Sequence, residues 1–516
     1  MTKNAIMFNS IISSQKFRLT ILLIILVEIV SFLGYYFPPV NQIAFFIVVL
    51  ITLIVSLKKL EYGLWLVLVE LLIGSKGYLL YFATDGLIIS IRQALWLIVM
   101  SVWLAQTLIY YFKNKKIDLR LTNFKFWPYF SVFFIFLSWG IINGYLHGHS
   151  FDNLFFDFNG WLYLALILPI FTSFKDQKSF NNLISVSAAA ISWLIFKTLL
   201  YLYFFSHNFF PFTEDLYRWT RLTGVGEITQ IQGGFFRIFF QSQIFILPVL
   251  TIVLIFFALQ FRKNFQLKFK QIIGYLVILV LLFTTLIISF SRSFWFGGLA
   301  GLVTLWLAWF LILKIKLIEW LKINAYLSLA VLISLVLILA VVKFPWPAPT
   351  GGFATLDILG QRASQLAGEA GVASRWALIT PLWQKIKQSA IFGQGFGATV
   401  IYQTSDPRIL QINPSGEYST YAFEWGWLDV WLKLGLLGLL AYLTLIIKII
   451  HSSLALVKNY TDSNFNQSLI IGLAGGLIVI CFVSIFSPYT NHPLGLGYLI
   501  LTAVIINNFK QKLPLA

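Results

Sequence analysis

Charged side chains are scarce in this sequence, and their scarcity excludes most classes of protein. Asp, Glu, Lys and Arg make up 11% of the 516 residues, whereas about 25% is usual in soluble domains. Hydrophobic residues make up 59% of the chain and aromatic residues 18%. The short alternating segments of a β-barrel are missing, while apolar runs of about 17–25 residues, the length of transmembrane helices, recur throughout. We therefore predict an all-α polytopic transmembrane helix bundle.

Several other features are missing. Cys481 is the single cysteine, so an intramolecular disulfide is excluded. No small-residue cleavage site follows the first apolar run, which we expect to be a retained helix. There is no Walker motif and no GxGxxG after a strand, so nucleotide use is unsupported. The five histidines form no convincing metal-ligand set. We expect no cofactor and no metal, and we attribute the excess of Lys and Arg to membrane topology, not to nucleic-acid binding.

Hydropathy predicts fourteen spans. Their bounds are 19–37, 40–57, 61–80, 88–112, 127–143, 160–174, 183–205, 238–260, 271–289, 293–313, 323–342, 424–447, 468–486 and 494–508. The sixth, which is short and contains Pro169, is the weakest of them.

Charge placement predicts the orientation. Well over half of the Lys and Arg residues fall in the termini and in alternate loops, as expected for the cytoplasmic side. Both termini are therefore predicted to be cytoplasmic. The chain divides into five regions: N-terminal helices (1–205), an outer loop (206–237), central helices (238–342), a large outer loop (343–423) and C-terminal helices (424–516).

The large outer loop is the strongest functional candidate, because long loops in compact proteins usually carry function. It begins with a Pro-rich break at 344–349. Apolar residues at spacings of three and four predict an amphipathic helix over 373–390 that suits a membrane surface: Trp376, Ile379, Leu382, Trp383 and Ile386. Ser374 is the predicted N-cap, and Pro381 is expected to kink the helix or to divide it.

Arginines are more common on the predicted outer side than the topology rule allows. They are Arg218, Arg221, Arg237, Arg292, Arg362, Arg375 and Arg408. The planar guanidinium fork matches phosphate oxygens and keeps its charge when partly desolvated. This pattern indicates a clamp for an anionic group, most simply a diphosphate. The alternative is a set of surface arginines paired with nearby acids.

Arg292 is the strongest single candidate. It lies in a very tight turn between the ninth and tenth spans, where an unpartnered arginine costs several kcal/mol unless it reaches water. Snorkelling to the outer headgroups is the alternative. Glu424, at the start of the twelfth span, suits a general base or an anchor for an acceptor hydroxyl. The alternative for Glu424 is a helix N-terminal acid that complements the helix dipole.

Other polar groups have structural interpretations. Asp429 and Lys433, one helical turn apart, are expected to form an ion pair. The turn at 394–397 is interpreted as loop geometry, not as a phosphate cradle. Four charged residues within predicted spans are expected to pair inside the bundle: Glu28, Glu70, Arg92 and Lys197.

Four stretches carry a family resemblance. They are SFSRSFWFGG (289–298), SRW (374–376) followed by Trp383 and IFGQGFG (391–397), LGLLGLL (434–440) and, more loosely, Arg237. In this order around one long outer loop, they resemble the bacterial O-antigen ligase and O-antigen polymerase family of multispan glycosyltransferases. The resemblance covers about 235–445 of the sequence. One departure is that Glu424 and Trp425 stand where the ligases carry a His-Asn pair, which favours a polymerase-like member.

The resemblance implies a donor glycan on a polyprenyl diphosphate and a glycan acceptor at the outer face of the bacterial cytoplasmic membrane. Arg292 and Arg375 would hold the diphosphate in place of a metal ion, and Arg237 and Arg221 would make secondary contacts. Trp376 would add a substrate contact, and Glu424 would act as base or orient the acceptor. The lipid bilayer and other polysaccharide-assembly proteins are the expected partners.

Two other functions remain open. A ligase would transfer finished glycan to a lipid or protein acceptor and would share the donor site. A polysaccharide or lipid transporter without chemistry would also use many spans. The transporter interpretation predicts internal repeats and broken helices near the membrane midplane, and it does not explain the long outer loop.

Overall fold

Long apolar helices dominate the structure, a computed structural model that describes residues 13–84, 86–115, 123–174, 176–231, 234–262, 269–350, 370–404, 407–460 and 464–511. Within these residues, thirteen helices are long and apolar enough to cross a membrane. The prediction of an all-α polytopic bundle is confirmed, and the protein is a multi-pass membrane protein.

Most of the α-helices follow the apolar runs. They are α1 (Gln15–Tyr36), α2 (Pro38–Lys58), α3 (Leu60–Ile73), α4 (Ile91–Asn114), α5 (Trp127–Leu146), α6 (Phe151–Phe158), α7 (Ile167–Ser173), α8 (Gln177–Ser206), α9 (Phe212–Leu222), α10 (Ile246–Arg262), α11 (Phe269–Ser289), α12 (Arg292–Leu307), α13 (Leu317–Val342), α14 (Ala370–Gln388), α15 (Pro407–Ile412), α16 (Gly426–Val457), α17 (Asn464–Val483) and α18 (Pro493–Gln511).

Three antiparallel hairpins lie in the linkers. Their strands are β1 (Tyr81–Thr84) with β2 (Leu87–Ser90), β3 (Gly226–Gln230) with β4 (Phe236–Phe240), and β5 (Val400–Gln403) with β6 (Glu417–Thr420). Each hairpin pairs only with itself within the described residues.

The third and sixth predicted spans depart furthest from long single helices. The third is the 14-residue α3, which is too short to qualify as a spanning helix and is mostly buried among other helices. The sixth becomes part of a broken span over Phe151–Ser173, in which a 3₁₀ segment, Asn159–Leu166, separates α6 from α7.

Two buried ion pairs hold the N-terminal helices together. Lys197 Nζ in α8 lies 2.8 Å from Glu28 Oε1 in α1. Arg92 in α4 donates from Nε and Nη2 to the Glu70 carboxylate in α3, at 2.8 and 3.0 Å. The expected pairing of these four charges inside the bundle is confirmed. Such pairs fix the register of helices, since removal of one partner leaves a buried charge.

Helix α16 is broken at Gly435, and a glycine-rich turn fills the break. Gly435 has φ of 71° and ψ of 178°, outside helical values. The amide of Gln394 donates to Leu432 O at 2.6 Å, and that of Gly395 to Lys433 O at 3.1 Å. These bonds satisfy carbonyls that the break frees. The turn amides therefore donate hydrogen bonds to groups of the protein itself. This agrees with the interpretation of the turn as loop geometry and not as a phosphate cradle.

Replacing Gly435 with alanine is expected to destabilise the protein by about 3 kcal/mol or more. The free-energy costs of backbone strain at positive φ and of a close contact would add together. An added Cβ would lie 2.1 Å from Ile391 O. Gly148 has the same φ, 71°, with no atom near an added Cβ. Gly148→Ala is therefore the matched control and should cost about 1 kcal/mol. The measurement is the thermal unfolding midpoint in detergent, and equal shifts for the two variants would contradict the packing argument.

The predicted amphipathic helix in the large loop is present as α14. It begins at Ala370, so Ser374 is not the N-cap. Instead Ser374 lies at an interior position of the helix. Its side chain is buried, with Oγ 2.7 Å from Thr404 Oγ1. Pro381 lies within one continuous helix.

The buried face of α14 agrees in part with the prediction. It consists of Leu378, Leu382 and Ile386, which pack against Phe423 and Trp425 in a small separate core. The predicted apolar residue Trp376 is 60% exposed and Trp383 is 39% exposed. Both tryptophan rings nevertheless contact residues at the edge of this core, Trp425 and Trp431. Docking of this helix on a membrane surface stays a prediction.

Candidate functional site

Four linkers enclose a cleft with a volume of about 370 Å³. We call it the arginine cleft. Its walls come from the β3–β4 hairpin, the turn between α11 and α12, the start of the large-loop helix α14 with the segment before α16, and the linker between α17 and α18. The lining residues are Glu227, Arg237, Phe239, Gln241, Phe290, Ser291, Arg292, Ser293, Arg375, Glu424, Ser487, Pro488, Tyr489 and His492.

Arg237 is fixed by the strand that carries it. It lies on β4 opposite Thr229, and its Nε donates to Ser289 O at 3.0 Å. The guanidinium lies 4.7 Å from the centre of the Phe239 ring. Burial lowers the pKa of Arg237, and the charge of Glu227 partly offsets this. An arginine nevertheless stays protonated at neutral pH, so Arg237 supplies a fixed positive charge.

Arg292 is placed by the predicted tight turn, which the structure confirms. Helix α11 ends at Ser289 and α12 begins at Arg292, with Phe290 in the left-handed region at φ 44°. Ser487 Oγ donates to Ser293 Oγ at 3.1 Å and so ties this turn to the linker between α17 and α18. The short turn leaves Arg292 in the first turn of α12, where its partly buried side chain lines the cleft.

Arg375 and Glu424 form an ion pair across the cleft. Trp425 Nε1 donates to Arg375 O at 3.0 Å, which holds the two segments together. Glu424 lies two residues before α16, not within its first turn. The pair is half open to solvent, since the side chains are 40% and 51% exposed. An acceptor or anion could therefore reach it from outside.

The three arginines repel one another. Burial lowers the pKa of Arg375, and the charges of Arg237 and Arg292 lower it further. Like charges gathered in a partly buried cleft cost free energy unless an anion offsets them. Two glutamates, Glu227 and Glu424, also line the cleft, so three positive charges face two negative ones. The arrangement is suited to a further anionic group.

The remaining predicted residues whose side chains the structure describes do not line this cleft. Arg221 lines a neighbouring cleft, with Nη1 4.0 Å from Glu227 Oε1. Arg218 pairs with Glu214 on the surface, as the alternative of arginine–acid pairs predicts. Trp376 packs edge-on against Trp425, with ring centres 5.6 Å apart. Arg362 and the side chain of Arg408 lie outside the described part of the chain.

Sequence reasoning gave no role to three lining residues, Glu227, Tyr489 and His492. Tyr489 donates its hydroxyl to Gln241 O at 3.3 Å, and burial raises the pKa of Tyr489. Burial lowers the pKa of His492 to about 3, so the ring is neutral at physiological pH. The only sequence signal was a short polar stretch, 487–493, between two apolar runs.

The His492 pKa predicts that stability falls as the pH falls below about 6.5. The unfolded chain protonates this histidine near its ordinary pKa of about 6.5, whereas the folded protein keeps it neutral down to about pH 3. The unfolded state then binds more protons, so acid favours it. His492→Gln should reduce the dependence of the thermal midpoint on pH between about pH 6.5 and 5. His451→Gln, at an exposed position of α16, is the control and should keep the wild-type slope.

No protein-family model matches the chain, and no curated protein matches it at a significant level. Among the described residues, no group of three or more His, Cys, Asp or Glu side chains is placed to hold a metal ion.

Proposed function

We propose that this protein is a membrane glycosyltransferase of the O-antigen polymerase type. It would join polyprenyl-diphosphate-linked oligosaccharide units at the outer face of the bacterial cytoplasmic membrane. One observation carries the proposal: Arg237, Arg292 and Arg375, from three distant parts of the chain, line a single cleft. Their motifs are also those in which the sequence resembles this family.

The cleft suits a diphosphate better than a carboxylate or a neutral ligand. Three guanidinium groups offer several paired N–H donors, which match phosphate oxygens, and no lysine is found in the described lining. A bound diphosphate would relieve the repulsion among the arginines. The arginines would stabilise the diphosphate most strongly as it leaves the sugar, because extra negative charge then develops on its bridging oxygen.

The proposed reaction is a substitution at the anomeric carbon. An acceptor hydroxyl oxygen forms the new bond to this carbon, and the bond from the carbon to the diphosphate oxygen breaks. The electron pair leaves with the polyprenyl diphosphate. The hydroxyl proton passes to the Glu424 carboxylate. The activated lipid supplies the driving force, so no nucleotide is consumed.

The Arg375–Glu424 ion pair suggests how donor and base are coupled. In the structure Arg375 is bound to Glu424. A donor diphosphate would compete for Arg375 and would leave the Glu424 carboxylate free to orient and deprotonate the acceptor. Proton transfer would thus be available only after the donor has bound.

Two alternatives remain as outcomes of the test. A ligase would use the same donor site with another acceptor. A transporter is predicted to have broken helices that line a substrate path, but the break at Gly435 is filled by the turn at 393–397. This observation favours a structural role for the break.

The test compares lipid-linked glycans in host membranes for wild type, Arg292→Ala and the control Arg18→Ala at equal expression. Arg18 is exposed in α1. Arg292→Ala should accumulate single repeat units on the outer leaflet, and Arg18→Ala should match wild type. Full-length glycan stranded on the carrier would indicate a ligase, and units trapped on the inner leaflet a transporter. A profile unchanged by Arg292→Ala would refute the proposed site.

A further inference from the structure

A second, larger cleft adjoins the arginine cleft. It has a volume of about 700 Å³ and lies between the end of α8, helix α9 and the β3–β4 hairpin. We call it the aromatic cleft. Its lining residues are Phe205, Phe210, Thr213, Glu214, Tyr217, Arg221, Glu227, Ile228, Thr229, Gln230 and Phe236. Glu227 lines both clefts, so the hairpin forms a shared wall.

The charge of the aromatic cleft differs from that of its neighbour. Its single arginine, Arg221, faces the carboxylate of Glu227 at 4.0 Å. The other lining acid, Glu214, is paired with Arg218. The lining charges are thus compensated within the protein, and this cleft lacks the excess of positive charge that suits a diphosphate.

The lining chemistry suits a neutral polyhydroxylated ligand. Phe210 is 73% exposed and Tyr217 is 39% exposed, so large apolar ring faces are available at the surface. The C–H faces of sugar rings pack against such aromatic faces. Carboxylate, hydroxyl and amide groups beside the rings, on Glu214, Thr229 and Gln230, would accept and donate hydrogen bonds to sugar hydroxyls. A concave site of this volume with apolar walls and a few polar groups is typical of small-ligand sites.

We propose that the aromatic cleft binds the saccharide chain of the glycan acceptor, a neutral oligosaccharide. The chain would lie along the β3–β4 hairpin, with its terminal hydroxyl directed past Glu227 into the arginine cleft. Arg221 then orients Glu227 within the saccharide site and does not contact the diphosphate. Delivery to the arginine cleft rests on the proposed function, but oligosaccharide binding does not.

The test is binding of diphosphate-free oligosaccharides to the full-length protein in detergent. The probe is the oligosaccharide pool released by mild acid from the host's own lipid-linked glycans, and the readout is saturation-transfer NMR with titration. Wild type and Arg292→Ala should bind equally. Tyr217→Ala should weaken binding by about tenfold or more, as the loss of a central aromatic contact does. Gln230→Ala, at an exposed position, should weaken it to a smaller extent.

The matched control is Tyr418→Ala on β6, since Tyr418 is 37% exposed and lies outside both clefts. This variant should bind as wild type does. Absence of binding to wild type, or equal binding by wild type, Tyr217→Ala and Gln230→Ala, would overturn the proposal. Equal losses in Tyr217→Ala and Tyr418→Ala would also overturn it. If binding follows the expected pattern while Arg292→Ala leaves lipid-linked glycans unchanged, the saccharide site stands and the glycosyltransferase proposal fails.

Discussion

Replacement of Lys433 with methionine is expected to destabilise the folded protein by about 3–5 kcal/mol, because it would leave buried carboxylates without their cation. Lys433 Nζ contacts the carboxylates of Asp157 in α6 and Asp429 in α16. The three side chains are only 3%, 8% and 5% exposed for Lys433, Asp157 and Asp429. The expected pair of Asp429 and Lys433 is therefore present, but it is part of a larger cluster.

The measurement is the thermal unfolding midpoint in detergent for Lys433→Met against Lys58→Met. Lys58 is an exposed lysine at the end of α2 and should tolerate the change. A triple variant that adds Asp157→Asn and Asp429→Asn should recover part of the loss, because the uncompensated charges are then removed as well. If Lys433→Met and Lys58→Met unfold at the same temperature, the buried cluster does not stabilise the fold.

The same cluster supports two walls of the arginine cleft. Lys433 Nζ donates to Tyr421 O at 3.0 Å, in the segment that carries Glu424. Asn491, beside Tyr489 and His492, donates its side-chain amide to Asp429. Loss of Lys433 should therefore displace cleft residues that it does not touch. We expect Lys433→Met to lose activity even at temperatures where it stays folded.

Replacement of Arg375 with alanine is expected to lower the rate of glycan transfer by about 10²–10³-fold, the usual cost of removing one donor that stabilises developing negative charge. Arg375→Lys should recover only part of the rate. Lysine keeps the charge but lacks the planar fork, and its ammonium cannot bind two phosphate oxygens in parallel. Lys387→Ala on the same helix is the control, since Lys387 is exposed.

The assay is transfer of labelled repeat units from lipid-linked donor in membranes matched for protein content. Glu424→Gln separates two roles of the ion pair. If Glu424 is the base, Glu424→Gln should lower the rate by about 10²–10⁴-fold even though Arg375 is intact. If Glu424 only holds Arg375, Glu424→Gln should be far milder than Arg375→Ala. A wild-type rate in Arg375→Ala would remove this residue from the proposed donor site.

The sequence alone was sufficient for the class of protein and for much of its helical structure. Scarce charge and recurrent apolar runs predicted the multi-pass bundle, and the outer-loop helix was placed within three residues of its observed start. The buried charges Glu28, Glu70, Arg92 and Lys197 were expected to pair, because charged side chains within a membrane usually form ion pairs. These predictions succeeded because hydropathy and helix periodicity are local properties of the chain.

Tertiary structure decided which residues share a site. Arg237, Arg292, Arg375 and Glu424 meet in one cleft, whereas Arg221 lies behind the β3–β4 hairpin. The sequence ranked these arginines by motif and could not distinguish them by position. Likewise the sequence predicts Ser374 as an N-cap, but Ser374 lies within a longer helix, where its side chain contacts Thr404.

The positions of His492 and Lys433 could not be predicted from local sequence either. His492 enters the cleft because α17 and α18 are joined by a short linker at the end of the bundle where β3–β4 packs. Lys433 meets Asp157, a residue 276 positions earlier, only because α5, the helix before α6, packs along the broken helix α16. Composition and periodicity determined that this chain is a helical membrane protein. Which residues form its site depended on how linkers far apart in sequence pack together. Local sequence patterns do not determine that packing.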